Sequence, residues 1–361
     1  MAMGLRSVRS VVVGGRASMA LIALVMSSGG CSGEEAAPGR GAARAGASGI
    51  GADAGGGIAD PSTDELGGAA AARTTADTNA SCSAIAPFYW EIGDSGGTLI
   101  SGSVGATAPA ASTVIAIASG SKWLFGAYAV QKMGGMPAAT DIPLLNLTSG
   151  YIGLGPCSPS GTVDDCLAGG AGVQVAAEVG KFDYDDAHLQ KLASLMGLGP
   201  DGNAALAVAV KEQIGSELEL EYAAPQPGSG VETSAEQYAR FLQKLLVGSP
   251  TPLLLGALLG SDAVCTNPAT CSTAIFSPIT GSASTIESWH YGLAHWVEDD
   301  PGVGDGAFSS AGAFGFYPWV DATRTFYGVL AREVPATGHN GYDSAACGRS
   351  IRKAWVTRVA Q

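Results

Sequence analysis

Positive charge is scarce in this chain of 361 residues: 19 Lys and Arg stand against 32 Asp and Glu, for a net charge of −13. That balance excludes an electrostatic grip on nucleic acid or on anionic lipid headgroups. Aromatic residues are also few, at 7%. Beyond the N-terminal segment no apolar run approaches the ~20 residues of a spanning helix, so the 46% hydrophobic content does not describe a membrane-spanning protein. Histidine occurs only at His188, His290, His295 and His339, with no ligand-spaced pair, and no C-x2-C spacing exists. His290 and His295, five apart, would not share a helix face. No metal and no cofactor is expected. What the chain has in excess is glycine, 53 residues.

Residues 1–30 carry Arg6, Arg9 and Arg16 without an acid, then the mainly apolar run Ala17–Met26 and the small residues Ser27-Ser28-Gly29-Gly30 before Cys31. This order of basic, apolar and small residues is that of a secretory signal peptide. Cys31 in that setting resembles the lipobox of bacterial lipoproteins, with Ser28 where Leu is usual. The resemblance implies an acylated Cys31, a membrane attachment through it and, with Ser32 next, an outer-membrane lipoprotein on the periplasmic side of a bacterial envelope. Two acyl chains on one residue anchor stably where a single chain does not. The alternative is an ordinary signal peptide cut nearby, with Cys31 a bystander.

Residues 32–80 are mostly Gly, Ala, Ser, Thr and Asp, without an aromatic residue or an apolar period. Such composition does not offset the entropy of ordering it, so residues 31–80 are expected to form a lipid-attachment cysteine and a disordered tether. The domain that follows, residues 81–361, holds 13 basic and 25 acidic residues.

Seven cysteines are an odd number for an exported protein, and removing Cys31 leaves six. Six allow fifteen connectivities. Proximity in sequence favours Cys157 with Cys166 and Cys265 with Cys271, which leaves Cys82 for Cys347 and suits a domain whose termini meet.

Within the domain, Phe88–Gly93 and Thr98–Ser103 flank the turn Asp94–Gly97 and read as a β-hairpin. Glu232–Glu236 opens a helix with Tyr238, Phe241, Leu242, Leu245 and Leu246 at helical spacing. Strands return at Tyr291–Glu298, Ala313–Asp321 and Thr325–Glu333. A last helix spans about Ser344–Val359, with Arg349, Arg352, Lys353 and Arg358 placed to suit its dipole. Strands at both ends around a helical middle imply an α+β fold, its antiparallel sheet built from both chain ends and flanked by helices, with a mainly helical subdomain.

The chemistry centres on Ser119-Gly120-Ser121-Lys122, which follows the apolar stretch Thr113–Ala118 and opens an apolar helix. Lys122 lies one turn from Ser119 on the same face, where an amine can take or stabilise the hydroxyl proton. The helix N-terminus adds N–H groups for an oxyanion.

Ala118–Trp123 resembles the active-site segment of serine β-lactamase-like hydrolases, the group of class C β-lactamases, D-Ala-D-Ala peptidases and related esterases. Leu144–Gly150 is similar to that family's L-L-x-H-T-S-G stretch, with Asn146 at the His. Tyr184-Asp185-Asp186 is similar to its Tyr-x-Asn motif, with Asp186 at the Asn, and Tyr291–Trp296 to its Y-G-L-G-W strand. Ser310-Ala311-Gly312 stands where the third motif has Lys or His, a small residue and Gly. The resemblance implies a β-lactamase/transpeptidase-like fold, Ser119 as acylated nucleophile, Lys122 as its proton partner and Tyr184 completing the base. It implies the N–H groups of Ser119 and Ala313 as oxyanion hole, and Asp186, Ser310 and Gly312 against the substrate. A carboxylate at Asp186 is expected to pair with Lys122 and hold it charged, and Ser310 removes the cation that attracts a substrate carboxylate. The expected protein is an exported serine hydrolase cleaving a small-molecule ester, amide or peptide through an acyl-enzyme. The alternatives are a true β-lactamase or D-Ala-D-Ala carboxypeptidase, and a degenerate homologue that binds cell-wall peptide or an envelope protein.

Overall fold

A computed structural model describes residues 63–279 and 286–361. The signal segment and Cys31 lie outside the described residues. The first described element corrects the expected tether: Thr63–Thr78 is a helix that packs along the C-terminal helix Asn340–Thr357. Composition hid it because its buried face is made of small residues. Ala72, Thr75 and Ala76 are fully buried, and Gly68 lies so close to Trp355 that a Cβ there would meet the Trp355 carbonyl. An alanine-rich run has high helix propensity and needs no aromatic when a neighbouring helix supplies the apolar surface. Gln361 donates its backbone N–H to Thr75 Oγ1 at 2.9 Å, so the last residue is also hydrogen-bonded to this helix.

The strands of the main sheet are β1 (Phe88–Asp94), β2 (Gly97–Val104), β3 (Val264–Cys265), β4 (His290–Gly292), β5 (His295–Glu298), β6 (Ala307–Ser309), β7 (Tyr317–Val320) and β8 (Tyr327–Ala331). They pair antiparallel in the order β2-β1-β8-β7-β6-β5-β4-β3. The pairing of β1 with β8, Trp90 opposite Leu330, joins the two chain ends in one sheet as expected. In the β1–β2 turn, Asp94 Oδ1 accepts from the N–H groups of Gly96 and Gly97 at 2.7 and 3.2 Å. The fold is α+β, with the sheet flanked by helices.

The helix expected after Glu232 spans Ala235–Gln243, with Ser234 accepting from Gln237 N–H at its start. It buries Tyr238, Phe241 and Leu242 against β1, β2, β7 and β8. Helices Ser121–Lys132, Ala187–Ala193 and Asn203–Ile214 belong to the helical part. Two expected strands are shorter than the sequence pattern. Tyr291–Glu298 is the hairpin β4–β5, turning at Leu293 and Ala294 with φ of 46° and 65°. The region 313–321 starts as a turn and becomes strand at Tyr317.

The last helix also differs. It starts at Asn340, and Arg352 is buried rather than spent on the helix dipole. Its guanidinium donates to Glu298 at 2.8 Å, to Asp305 at 2.7 and 2.8 Å and to the Tyr317 hydroxyl at 2.8 Å. Arg349 forms a two-pronged pair with Glu287 at 2.8 and 2.9 Å. Such pairs are costly to break one-sidedly, because the other charge stays buried. Disulfides join Cys82 to Cys347, Cys157 to Cys166 and Cys265 to Cys271, the expected pairing.

Candidate active site

Ser119 sits in a 3-10 turn, Ala118–Gly120, that runs directly into the helix Ser121–Lys132. Ala118 holds φ at 45°, an uncommon backbone conformation for a side-chain-bearing residue immediately before the candidate nucleophile. Three contacts fix the turn. Ser121 Oγ donates to Ala118 O at 2.7 Å and accepts from Val231 N–H at 3.1 Å, and the Tyr238 hydroxyl donates to Gly120 O at 2.8 Å. Ser119 remains half-buried. Near the start of a helical segment, backbone N–H groups lack an acceptor within the helix.

Lys122 is 1% exposed, and its Nζ lies 3.1 Å from Ser119 Oγ. It also donates to the Gly228 carbonyl at 3.1 Å and forms an ion pair with Asp186. Gly228 O and the Asp186 carboxylate can only accept, and a third N–H then points at Ser119. Three acceptors thus occupy the three N–H bonds of an ammonium. Burial works against that charge, but the Asp186 carboxylate and the nearby Tyr184 outweigh it and hold Lys122 above the ordinary lysine value. For Asp186 burial pushes the carboxyl up, and the Lys122 charge overrides it and keeps the group below the usual carboxylate range.

Tyr184 reaches the same lysine with its ring: Nζ lies over the ring face, 4.7 Å from the centroid. The resemblance placed the phenol there, and no hydrogen bond joins that hydroxyl to Lys122 or Ser119 among the described residues. The ring is held by stacking on Trp296 at 5.1 Å and by an edge contact with Tyr291 at 5.9 Å. Asp186 stands at the start of helix Ala187–Ala193. Asp185 between them accepts from the N–H groups of Gly153, Leu154 and Ala187 at 2.8, 3.3 and 2.8 Å.

The third motif closes on the nucleophile from β6. Ser310 is 1% exposed, and its hydroxyl donates to the Ser119 carbonyl at 2.8 Å. It therefore braces the nucleophile backbone, at a position that the resemblance implied would lie against the substrate. A Cβ on Gly312 would strike the Ile117 carbonyl, so glycine permits this approach. Ala313 follows in an exposed turn, and Asn340 Nδ2 donates to its carbonyl at 3.2 Å.

Ser119, Lys122, Tyr184, Asp186, Ser310 and Gly312 are thus brought to one place. Gly228 and Asn340 are not singled out in the sequence, and Ser121 is named there only as part of the Ser119–Lys122 motif. The Gly-rich stretch 228–230 was the one available signal, since a turn of that composition allows a carbonyl to approach a ligand or side chain closely. Asn146, at the His of the second motif, is 2% exposed and structural: it donates to Asp262 O at 2.5 Å and accepts from Leu293 N–H at 2.8 Å, clamping the β4–β5 turn. Among the described residues no cluster of three His, Cys, Asp or Glu is arranged to hold a metal.

No family model and no curated protein matches the sequence. Solved structures are similar in fold. A penicillin-binding protein homolog from Caulobacter crescentus superposes with a TM-score of 0.57 at 14% identity, covering 80% of this chain and 97% of that one. A beta-lactamase from Mycobacterium bovis gives 0.52 at 15% identity, covering 76% and 96%. EstCE1, a hydrolase with promiscuous acyltransferase activity, gives 0.51 at 14% identity, covering 79% and 97%. These likenesses extend over nearly the whole of each neighbour and are likenesses of fold.

Proposed function

With the fold of β-lactamase-like and penicillin-binding-protein-like serine hydrolases as premise, we propose that this protein is an exported serine hydrolase that cleaves a neutral ester or amide through an acyl-enzyme on Ser119. The observation that carries the reading is the 3.1 Å approach of the buried Lys122 amine to the half-buried Ser119 hydroxyl at the mouth of a helix. A serine needs such a partner to become nucleophilic. Once Lys122 has given a proton to solvent, attack by Ser119 Oγ on the carbonyl carbon passes the hydroxyl proton to the Lys122 amine and forms a tetrahedral oxyanion, for which the N–H groups of Ser119 and Ala313 are the donors we assign. That proton goes to the departing alcohol or amine as the acyl-enzyme forms, and a water deprotonated by the same amine then attacks the acyl carbon and releases the acid, with Ser119 reprotonated.

Substrate charge follows from two side chains. Ser310 is turned onto the Ser119 carbonyl, and Lys122 is neutralised by Asp186, so neither offers a free cation to a substrate carboxylate. This disfavours penicillins and D-Ala-D-Ala peptides and favours uncharged esters and amides. Export is supported by the N-terminal segment and by three disulfides, which persist in oxidising compartments. A lipid on Cys31 would place the domain at the outer membrane, on its periplasmic side.

A second reading, a catalytically silent binder of cell-wall peptide or an envelope protein, is favoured by one observation, the Lys122–Asp186 pair, which keeps the proton acceptor occupied. Intact-mass spectrometry after exposure to a fluorophosphonate and to a penicillin separates these readings, with Ser119→Ala as control. The expected result is a fluorophosphonate adduct that disappears in Ser119→Ala, with little or none from penicillin. No adduct from either reagent favours the silent binder.

A further inference from the structure

His188, the second residue of the helix that follows Asp186, is fully buried, and nothing in the proposed acyl transfer uses it. Its Nδ1 lies 2.6 Å from Ser149 Oγ, and its Nε2 lies 3.1 Å from the Asp183 carbonyl. A carbonyl only accepts, so Nε2 carries the hydrogen. Burial pushes the imidazole pKa down to about 4, so the ring is neutral with one N–H, and Nδ1 presents a lone pair. The Ser149 hydroxyl, itself 5% exposed, must then be the donor to Nδ1. Serine thereby fixes the tautomer that reaches Asp183.

The chain from Asp183 onward carries Tyr184 and Asp186, and Asp183 also donates its N–H to Leu147 O at 3.0 Å. The Leu144–Gly150 stretch and the Tyr184–Asp186 stretch, distant in sequence, are thus tied by one imidazole. The ring sits two residues into the helix that Asp186 begins. Loss of the Asp183 bond would remove one of the ties on the backbone that aims Asp186 at Lys122.

We infer that His188, oriented by Ser149, is a positioning residue for the Lys122–Asp186 pair and through it for Ser119. The inference rests on the proposed acylation of Ser119. Its substance is that one bond, Nε2–H to Asp183 O, matters to the site, and that the Ser149 bond matters because it selects this tautomer. Two near-isosteric variants divide the ring's functions. His188→Asn keeps a polar group near Nδ1 and loses the reach to Asp183. His188→Gln keeps a donor near Nε2 and loses the partner of Ser149.

The test measures three quantities on wild type, His188→Asn, His188→Gln and Ser149→Ala: the thermal midpoint, the rate of fluorophosphonate labelling at Ser119, and the pH titration of the Lys122 amine by NMR. In His188→Asn, labelling is expected to change at least ~5-fold and the Lys122 titration to move to lower pH, as its contact with Asp186 loosens. His188→Gln should return both to within ~2-fold and a few tenths of a pH unit, whatever its thermal midpoint. Ser149→Ala should fall between them. An unmoved Lys122 titration in His188→Asn overturns the inference, and so does labelling that follows the thermal midpoint across all variants. If wild type is never labelled, the proposed hydrolase fails. The Lys122 titration then still decides whether His188 positions the pair.

Discussion

Asp186 forms an ion pair with the same Lys122 amine that lies 3.1 Å from Ser119 Oγ, so the candidate base is held as an ammonium by the residue beside it. An amide at that position would offer hydrogen bonds without a counter-charge. The pair therefore sets the resting protonation of the whole site.

Replacing the carboxylate tests this directly. Asp186→Asn removes the negative charge that raises Lys122, so the amine loses its proton at lower pH. Fluorophosphonate labelling of Ser119 at pH 7–8 is expected to rise by about tenfold for each pKa unit that Lys122 falls. Lys122→Ala should abolish labelling. A slower Asp186→Asn would show that the carboxylate assists the reaction.

Acid should destabilise the fold through His295. Its Nε2 accepts from Gly260 N–H at 3.0 Å and its Nδ1 donates to Leu293 O at 3.2 Å, so the ring is neutral while it stacks on Trp123. Burial pushes its pKa down to about 4, below the ordinary 6.5 of the unfolded chain. Between those values the unfolded state binds the extra proton, so stability falls as pH drops from 6.5 towards 4. His188 contributes with the same sign. Urea unfolding at pH 4.5, 5.5 and 7 should show the decline, with a shallower slope in His295→Gln.

Glu91 acts in the opposite direction. It is 3% exposed on β1, with the Tyr89 hydroxyl donating to Oε2 at 2.7 Å. Burial raises its pKa, so the folded state keeps a proton that the unfolded state gives up above about pH 4.5. Its contribution is then favourable at low pH and is lost as pH rises through the folded value. Glu91→Gln is expected to raise the thermal midpoint at pH 8 and to leave it nearly unchanged at pH 4.

Asn146→Ala should cost stability without touching the nucleophile. It leaves the buried Leu293 N–H unpaired, for about 1–3 kcal/mol, while the exposed Asp262 can turn its carbonyl to water. Chemical denaturation measures the loss. A variant as stable as wild type would show that the β4–β5 turn is held by its strands alone.

Gly312→Ala should disable the site while the sheet still forms. The added methyl meets the Ile117 carbonyl, backbone that supports the Ser119 turn. Fluorophosphonate labelling is expected to fall at least ~100-fold with the far-ultraviolet spectrum retained. Near wild-type labelling would show that the two backbones can part.

Much of the fold is legible locally. The β1–β2 hairpin is written in an aromatic and β-branched run around Asp94-Ser95-Gly96-Gly97, and the Ala235–Gln243 helix in its capping serine and apolar spacing. These signals work because neighbours in sequence supply both the turn chemistry and the buried face. The Thr63–Thr78 helix failed that test, since its apolar partner, Trp355, lies 277 or more residues away. The β4–β5 turn has no glycine at its two left-handed positions, Leu293 and Ala294, and is held by Asn146 and Leu145 from another segment.

The sequence by itself determined that Ser119 and Lys122 share a helix face, because three residues make most of one turn. It also indicated which cysteines could pair and that a carboxylate stands at position 186. Only the tertiary structure decided what those groups do to each other. Burial removes the water that would screen Lys122 from Asp186, the Gly228 carbonyl takes a second N–H and leaves the third for Ser119, Tyr184 arrives by its ring, and Ser310 turns onto Ser119. Orientation and solvent exclusion are properties of packing, and no spacing along the chain encodes them.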